Sequence, residues 1–203
     1  MHIPTSDTTE IEVLSFDAAL ASSAASTEYD AAKWLYAPNF YSEYRYILGT
    51  RGKKPLICVG INPSTAKPDD LDNTLKSVQR IALGNGFDSF LMFNVYAQRA
   101  TRPDDMERVC NLRLHEENMK AFRPLLSIGE RPAGWAAGGA FIDKRKYLPE
   151  CVADMLAISR EYDALWFCAG PISNKGHPHH PLYLRKDEKL KPFDTEAYLK
   201  QIG

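Results

Sequence analysis

The sequence predicts an α/β domain, a three-layer α/β/α sandwich around a mainly parallel sheet of four to five strands. Short apolar runs recur along the chain, and segments with helical spacing of apolar residues separate them. Buried strands that alternate with amphipathic helices need crossover connections and a sheet covered on both faces. The 203 residues are enough for one domain with a real core. At 44% hydrophobic and 25% charged residues, the chain has the balance of a globular protein and not of a disordered one.

Residues 1–30 are rich in Ala, Ser and Thr and read as a mobile or loosely docked lead-in with room for one short helix; residues 31–203 read as a single domain. Residues 41–48 (YSEYRYIL) alternate with aromatic character, as an outer strand does. Residues 55–60 (PLICVG) form an apolar run closed by a glycine, the pattern of a buried strand. Leu75, Val78, Ile81 and Ala82 then share one helical face, with Asp72 placed to cap it and Gly84 and Gly86 to end it. Residues 90–95 (FLMFNV) are the next strand, 115–126 a helix, and 132–137 (PAGWAA) a third core strand. Leu148, Cys151, Val152, Met155 and Leu156 mark the last long helix, and residues 164–169 (ALWFCA) the last buried strand. No internal repeat or linker interrupts the pattern.

Composition also excludes function classes. A net charge of -1 lacks the basic surplus with which general nucleic-acid binders neutralise phosphates, although net charge is silent about a local basic stripe. No stretch approaches the roughly 18 to 20 apolar residues of a membrane helix. Asp7, Glu10 and Glu12 stand where a signal peptide would be basic and then apolar, so none is expected. Cys58, Cys110, Cys151 and Cys168 form no C-x-x-C pair, and two of them lie in apolar strands; reduced thiols and a cytoplasmic location are expected.

In doubly covered sheets, ligands collect beyond the carboxyl ends of the strands, so the polar segments after those strands are the places for chemistry. The first is Gly60-Ile61-Asn62-Pro63-Ser64-Thr65-Ala66. Gly60 lets the backbone turn, while Pro63 fixes its own φ and keeps Asn62 out of the α region. A fixed amide there can position a water or read a ligand edge; a plain turn with an Asx bond fits the same residues. The second is Asn94, with Tyr96, Arg99 and Thr101 after it, where a capping role competes with a ligand contact. The third is the stiff run from Lys175 to Tyr183, which holds His177, His179 and His180 between prolines and displays imidazoles that titrate near neutrality. Metal binding would need partners that are not evident, since no H-E-x-x-H occurs and the cysteines look buried, so neither metal nor other cofactor is expected. Residues 49–54 lack P-loop spacing, Gly84-Asn85-Gly86 lacks the third glycine of a dinucleotide fingerprint, and Ser64 is outside any G-x-S-x-G.

These residues resemble a bacterial and phage family known only as a numbered domain of unknown function. Its pattern matches Arg45-Tyr46 with Leu48, residues 62–66, Asp72 with Thr74, Asn94, residues 99–101, and Gly176 to Tyr183. The order of motifs is also similar to that of the uracil-DNA glycosylase superfamily: residues 60–63 take the place of its water-positioning turn, residues 92–94 that of its base-reading Asn, and residues 177–182 that of its His loop. The resemblance implies a uracil-DNA glycosylase-like sheet and hydrolysis of an N-glycosidic bond in nucleic acid or nucleotide. Asn62 would orient the water, and His177 or His180 would stabilise the leaving base. Gly60, Pro63, Ser64, Thr65, Asn94, Arg99 and Tyr183 would contact the ligand. It implies DNA, before RNA, or a nucleotide as partner. Asp69, Asp70 and Asp72 fit a water-assisting carboxylate or a helix cap. The alternative is a non-catalytic module that binds a nucleotide, a modified base or a nucleic-acid end; Ser64-Thr65-Ala66, where that superfamily carries a stacking aromatic, favours it. A purely structural role, with the His-Pro loop as a contact surface, also fits.

Overall fold

The computed structural model describes residues 1–4, 12–24 and 27–203. In chain order these form α1 (Phe16–Ala24), β1 (Trp34–Ala37), β2 (Ile47–Thr50), β3 (Pro55–Gly60), α2 (Asn73–Gly84), β4 (Ser89–Asn94), α3 (Leu112–Leu125), β5 (Ala133–Ala136), α4 (Leu148–Arg160), β6 (Leu165–Ala169), β7 (Leu190–Pro192) and α5 (Thr195–Ile202). One sheet runs in the order β1-β2-β4-β3-β5-β6-β7. Its centre, β4-β3-β5-β6, is parallel; β1 on β2, β2 on β4 and β7 on β6 are antiparallel.

This corrects the expected four- to five-stranded, mainly parallel, uracil-DNA glycosylase-like sheet. The sheet has seven strands and is mixed, with three of its six pairings antiparallel. The additional strands are short and carry weak patterns. WLYA spans only four residues, and LKP spans three with a proline, which costs nothing on an outermost strand because that N–H need not enter the ladder. The aromatic segment 41–48 is strand only from Ile47 onward; before it, Tyr44 makes a lone antiparallel bridge to Gln98.

Side chains alternate across the central strands with period two, and each set meets its own helices. Ile57, Val59, Leu91 and Phe93 pack with Leu114, Phe122, Met155 and Leu156 on the side of α3 and α4. Leu56, Cys58, Phe90, Met92 and the fully buried Trp135 pack with Leu75, Val78 and Ile81 of α2. Burying each such aliphatic side chain contributes roughly 1.5 to 3 kcal/mol. The start of α2 is fixed by Asp72, whose carboxylate accepts the Leu75 N–H at 2.9 Å, and its end by Asn85 followed by Gly86 at φ 81°.

Part of the expected N-terminal lead-in, residues 5–11 and 25–26, lies outside the described residues. Within the described part, Phe16 and Ala19 of α1 are buried, and the Phe16 N–H donates to Glu117 of α3 at 2.7 Å. Among the described residues, no helix is long and apolar enough to cross a membrane, and no group of His, Cys, Asp or Glu is arranged to hold a metal ion.

Candidate functional site

Because β4, β3, β5 and β6 run parallel, the loops leaving all four gather at one end of the sheet, and there they enclose a cleft of about 240 Å³. That exceeds the ~150 Å³ that takes up a benzene ring. Gly60 at the end of β3 and Met92 of β4 form its floor. Asn62 and Ser64 come from the loop after β3, Thr101 and Pro103 from the segment after β4, Asp72 and Thr74 from the start of α2, Phe141 from the turn after β5, and His180 and Tyr183 from the loop after β6. A smaller apolar void of about 40 Å³ between the sheet, α4 and α5, lined by Val59, Met155 and Tyr198 among others, has room for little more than one water.

The absence of a side chain at Gly60 is what opens the floor. A Cβ there would come within 2.6 Å of the Met92 methyl and 3.0 Å of Asn94 Oδ1. Asn94 is the register partner of Gly60 across β3 and β4, so its amide lies over that vacant position. It is fully buried, and neither amide atom has a hydrogen-bond partner among the described residues. Buried amides are nearly always paired, because leaving a donor or acceptor bare costs about 1 to 3 kcal/mol.

Asn62 uses its amide nitrogen inward, donating to the carbonyls of Ala100 at 2.6 Å and Pro63 at 3.2 Å. With the backbone bond from Ala100 N to the Pro63 carbonyl, this staples the loops that follow β3 and β4 together. Its Oδ1 accepts no bond from the described residues and stays available to a ligand. Ser64 Oγ sits 3.5 Å from Thr101 Oγ1, and the Ser64 carbonyl accepts from Arg99.

His180 is held by three contacts. Its Nδ1 accepts the Leu182 N–H at 3.3 Å, and its ring meets Phe141 edge-on and tilts against Tyr183. Burial, helped by His179 and opposed by Asp72, lowers its pKa below the usual imidazole value. With Nδ1 occupied as an acceptor, the neutral ring carries its proton on Nε2, so the free nitrogen is a donor. The loop itself is anchored to α2 by Ser77, which donates to the Pro181 carbonyl at 2.8 Å.

Of the residues singled out in the sequence, Gly60, Asn62, Ser64, His180 and Tyr183 line the cleft, and Asn94 lies beneath its floor. Pro63, Thr65 and Arg99 stand outside the lining; Arg99 is buried, donates to Tyr36 Oη at 3.0 Å and stacks 4.4 Å from the Tyr41 ring centre. His177 points elsewhere. It is buried with Nε2 3.3 Å from Asp143 and Nδ1 3.5 Å from the Tyr198 hydroxyl. Asp69 is turned away to Lys33 and Trp34. Arg45, Met92 and Phe141 also line the cleft without having been assigned a role; Arg45 carried a signal, as a cation inside an apolar alternating segment, whereas Phe141 in a Gly-rich turn carried none.

A family model described as "Protein of unknown function (DUF1643)" matches residues 45–182, more than half of the chain. The chain belongs to this family. Its DUF1643 match begins at Arg45 and ends at Leu182, both of which line the cleft. No curated protein and no solved structure matches the chain. The uracil-DNA glycosylase-like reading is overturned by the seven-stranded mixed sheet. With it falls the expectation of an N-glycosidic hydrolase or of a base-binding module on that fold.

Proposed function

We propose that the cleft is a recognition site for a small ring-bearing molecule whose polar edge both donates and accepts hydrogen bonds. The observation that carries this reading is the Asn94 amide, buried without a partner under the floor of an open cleft. A ligand edge seated over Gly60 would bring a donor to its Oδ1. Asn62 Oδ1 and the Nε2–H of His180 offer one further acceptor and one further donor. Phe141 and Tyr183, which is 76% exposed, supply aromatic surface for a ring at the mouth. Recognition is favoured over nucleophilic catalysis because the lining hydroxyls of Ser64 and Thr101 pair with each other and with the His2 backbone N–H, not with a base.

The test is an amide-resolved NMR titration of the protein with a panel of small rings, including lactams, cyclic amides, nucleosides and nucleotides. The panel also covers the nucleotide partner expected from the sequence. A binding compound should shift the Gly60, Ser64, Thr101 and Tyr183 amides. Tyr183→Ala should weaken it roughly tenfold, about the 1.4 kcal/mol of one lost ring contact, with unchanged stability. Shifts confined to another surface, or full affinity in Tyr183→Ala, would remove this reading.

A further inference from the structure

Behind the cleft lie two buried guanidinium groups, Arg45 at 1% and Arg99 at 0% exposure. Their hydrogen-bond partners among the described residues are all neutral oxygens: Arg45 Nη1 donates to the Ala66 carbonyl at 3.0 Å, and Arg99 donates to the Ser64 carbonyl and the Tyr36 hydroxyl. Both Nε atoms lack a partner. Burial, and then the like charge of Arg99, push Arg45 down to about 9, which still leaves it charged at neutral pH. Asp72 is the one carboxylate in the cleft lining, and one of its oxygens is committed to the Leu75 N–H. Arg99 also feels Glu43, but Arg45 lines the cleft with that half-committed carboxylate alone, and a buried cation without a bonded anion is costly.

The edge that Arg45 leaves unpaired has a specific shape. Nη1 is spent on Ala66, while Nε and Nη2 make no bond to the described residues. Nε–H and Nη2–H lie side by side on one edge of the guanidinium plane and form the fork that takes two oxygens of a carboxylate or phosphate at once. Holding the Ala66 carbonyl needs a single donor, which any long polar side chain could provide. It does not account for a fork left empty beside a cleft that Arg45 itself lines.

We propose that the Nε/Nη2 edge of Arg45 seats an anionic group, a carboxylate or a phosphate, carried by the molecule that the cleft binds. The inference rests on the cleft being a ligand site and adds the charge class of the ligand. The ring portion would lie over Gly60 and Asn94, and the anion would reach inward toward the loop of residues 62–66.

The experiment follows the Nε–Hε resonance of Arg45 in the ¹⁵N-labelled full chain during titration with sodium phosphate, sodium acetate and, as a control at matched ionic strength, sodium chloride. A saturable shift with phosphate or acetate and none with chloride is expected, and the stronger of the two anions identifies the source of the charge. Arg45→Lys should weaken that anion about tenfold or more, since a point charge cannot replace the fork. If Arg45→Lys does not fold, Thr74→Glu, which leaves Arg45 in place and adds a negative charge to the lining, should weaken it to a similar extent. Silence at Arg45 with both anions overturns the proposal. Silence at Arg45 with both anions, in a protein whose cleft binds a ring compound, leaves the recognition reading standing. A response at Arg45 to these anions, when no compound of the ring panel binds the cleft, supports the anion seat and counts against that reading.

Discussion

Replacing Asn94 by Leu should make the protein more stable and leave the cleft unable to recognise its ligand. Leucine has the branching of asparagine but no polar atoms. The two amide atoms of Asn94 are buried and unpartnered, and each such atom costs about 1 to 3 kcal/mol. Against this stands some crowding, because the side chain lies over Gly60 and near the Met92 methyl; the flexible end of a methionine yields readily. The net expectation is a gain of roughly 1 to 3 kcal/mol, which for a domain of this size is a Tm increase of about 2 to 12 °C. Urea unfolding with an unchanged m-value would measure it. A loss of more than about 1 kcal/mol would refute the reasoning, since it would mean that the amide is already satisfied in the free protein. Proteins commonly carry such destabilised groups where they bind something, and stabilising replacements there cost function.

Other perturbations test the frame around the site. Gly49→Ala would place a Cβ 2.1 Å from the Phe90 carbonyl oxygen and 2.7 Å from the Leu91 Cα, backbone atoms that cannot turn aside; a loss of about 3 kcal/mol or more is expected in urea unfolding, and near-neutral behaviour would contradict the β2–β4 register. His180 has a folded-state pKa below its unfolded value of about 6.5, so the unfolded chain takes up the proton first. Stability should be flat above that pH, fall as pH drops below it, and level off once the folded ring is protonated. The His180→Asn variant should lack this segment of the stability-against-pH curve, and parallel curves would show that burial of this ring does not set it.

The central strands were legible as apolar runs: residues 55–60, 90–95 and 164–169 read as strands, and the observed ones are Pro55–Gly60, Ser89–Asn94 and Leu165–Ala169. Helix α2 was legible through the spacing of Leu75, Val78 and Ile81 and its Asp72 cap. The flanking strands were not, since WLYA and LKP become strands through the partners they pair with and not through any pattern of their own. The site shows the same division. Gly60, Asn62 and Ser64 follow a readable strand, and the rule that loops after parallel strands gather at one end puts them in view. His177 and His180 sit three residues apart in one loop, and only the packing of Tyr198 and Asp143 on one and of Phe141 on the other separates them. Arg45 stands just before its strand starts at Ile47, so alternation across residues 41–48 could not reveal which way it turns.

The tie between Ser77 and the Pro181 carbonyl joins residues 104 positions apart and has a kinetic consequence. The near wall of the cleft can form early, from the contiguous stretch that carries β3, α2 and β4. The far wall must wait until the segment beyond β6 has come back across the sheet to α2. Loop closure over such a distance is paid for before its contacts form, so the cleft should be among the last parts of the protein to assemble and among the first to open. In hydrogen exchange this would appear as a Leu182 amide that exchanges through a local event, at a denaturant concentration where the amides of β3 and β4 are still protected.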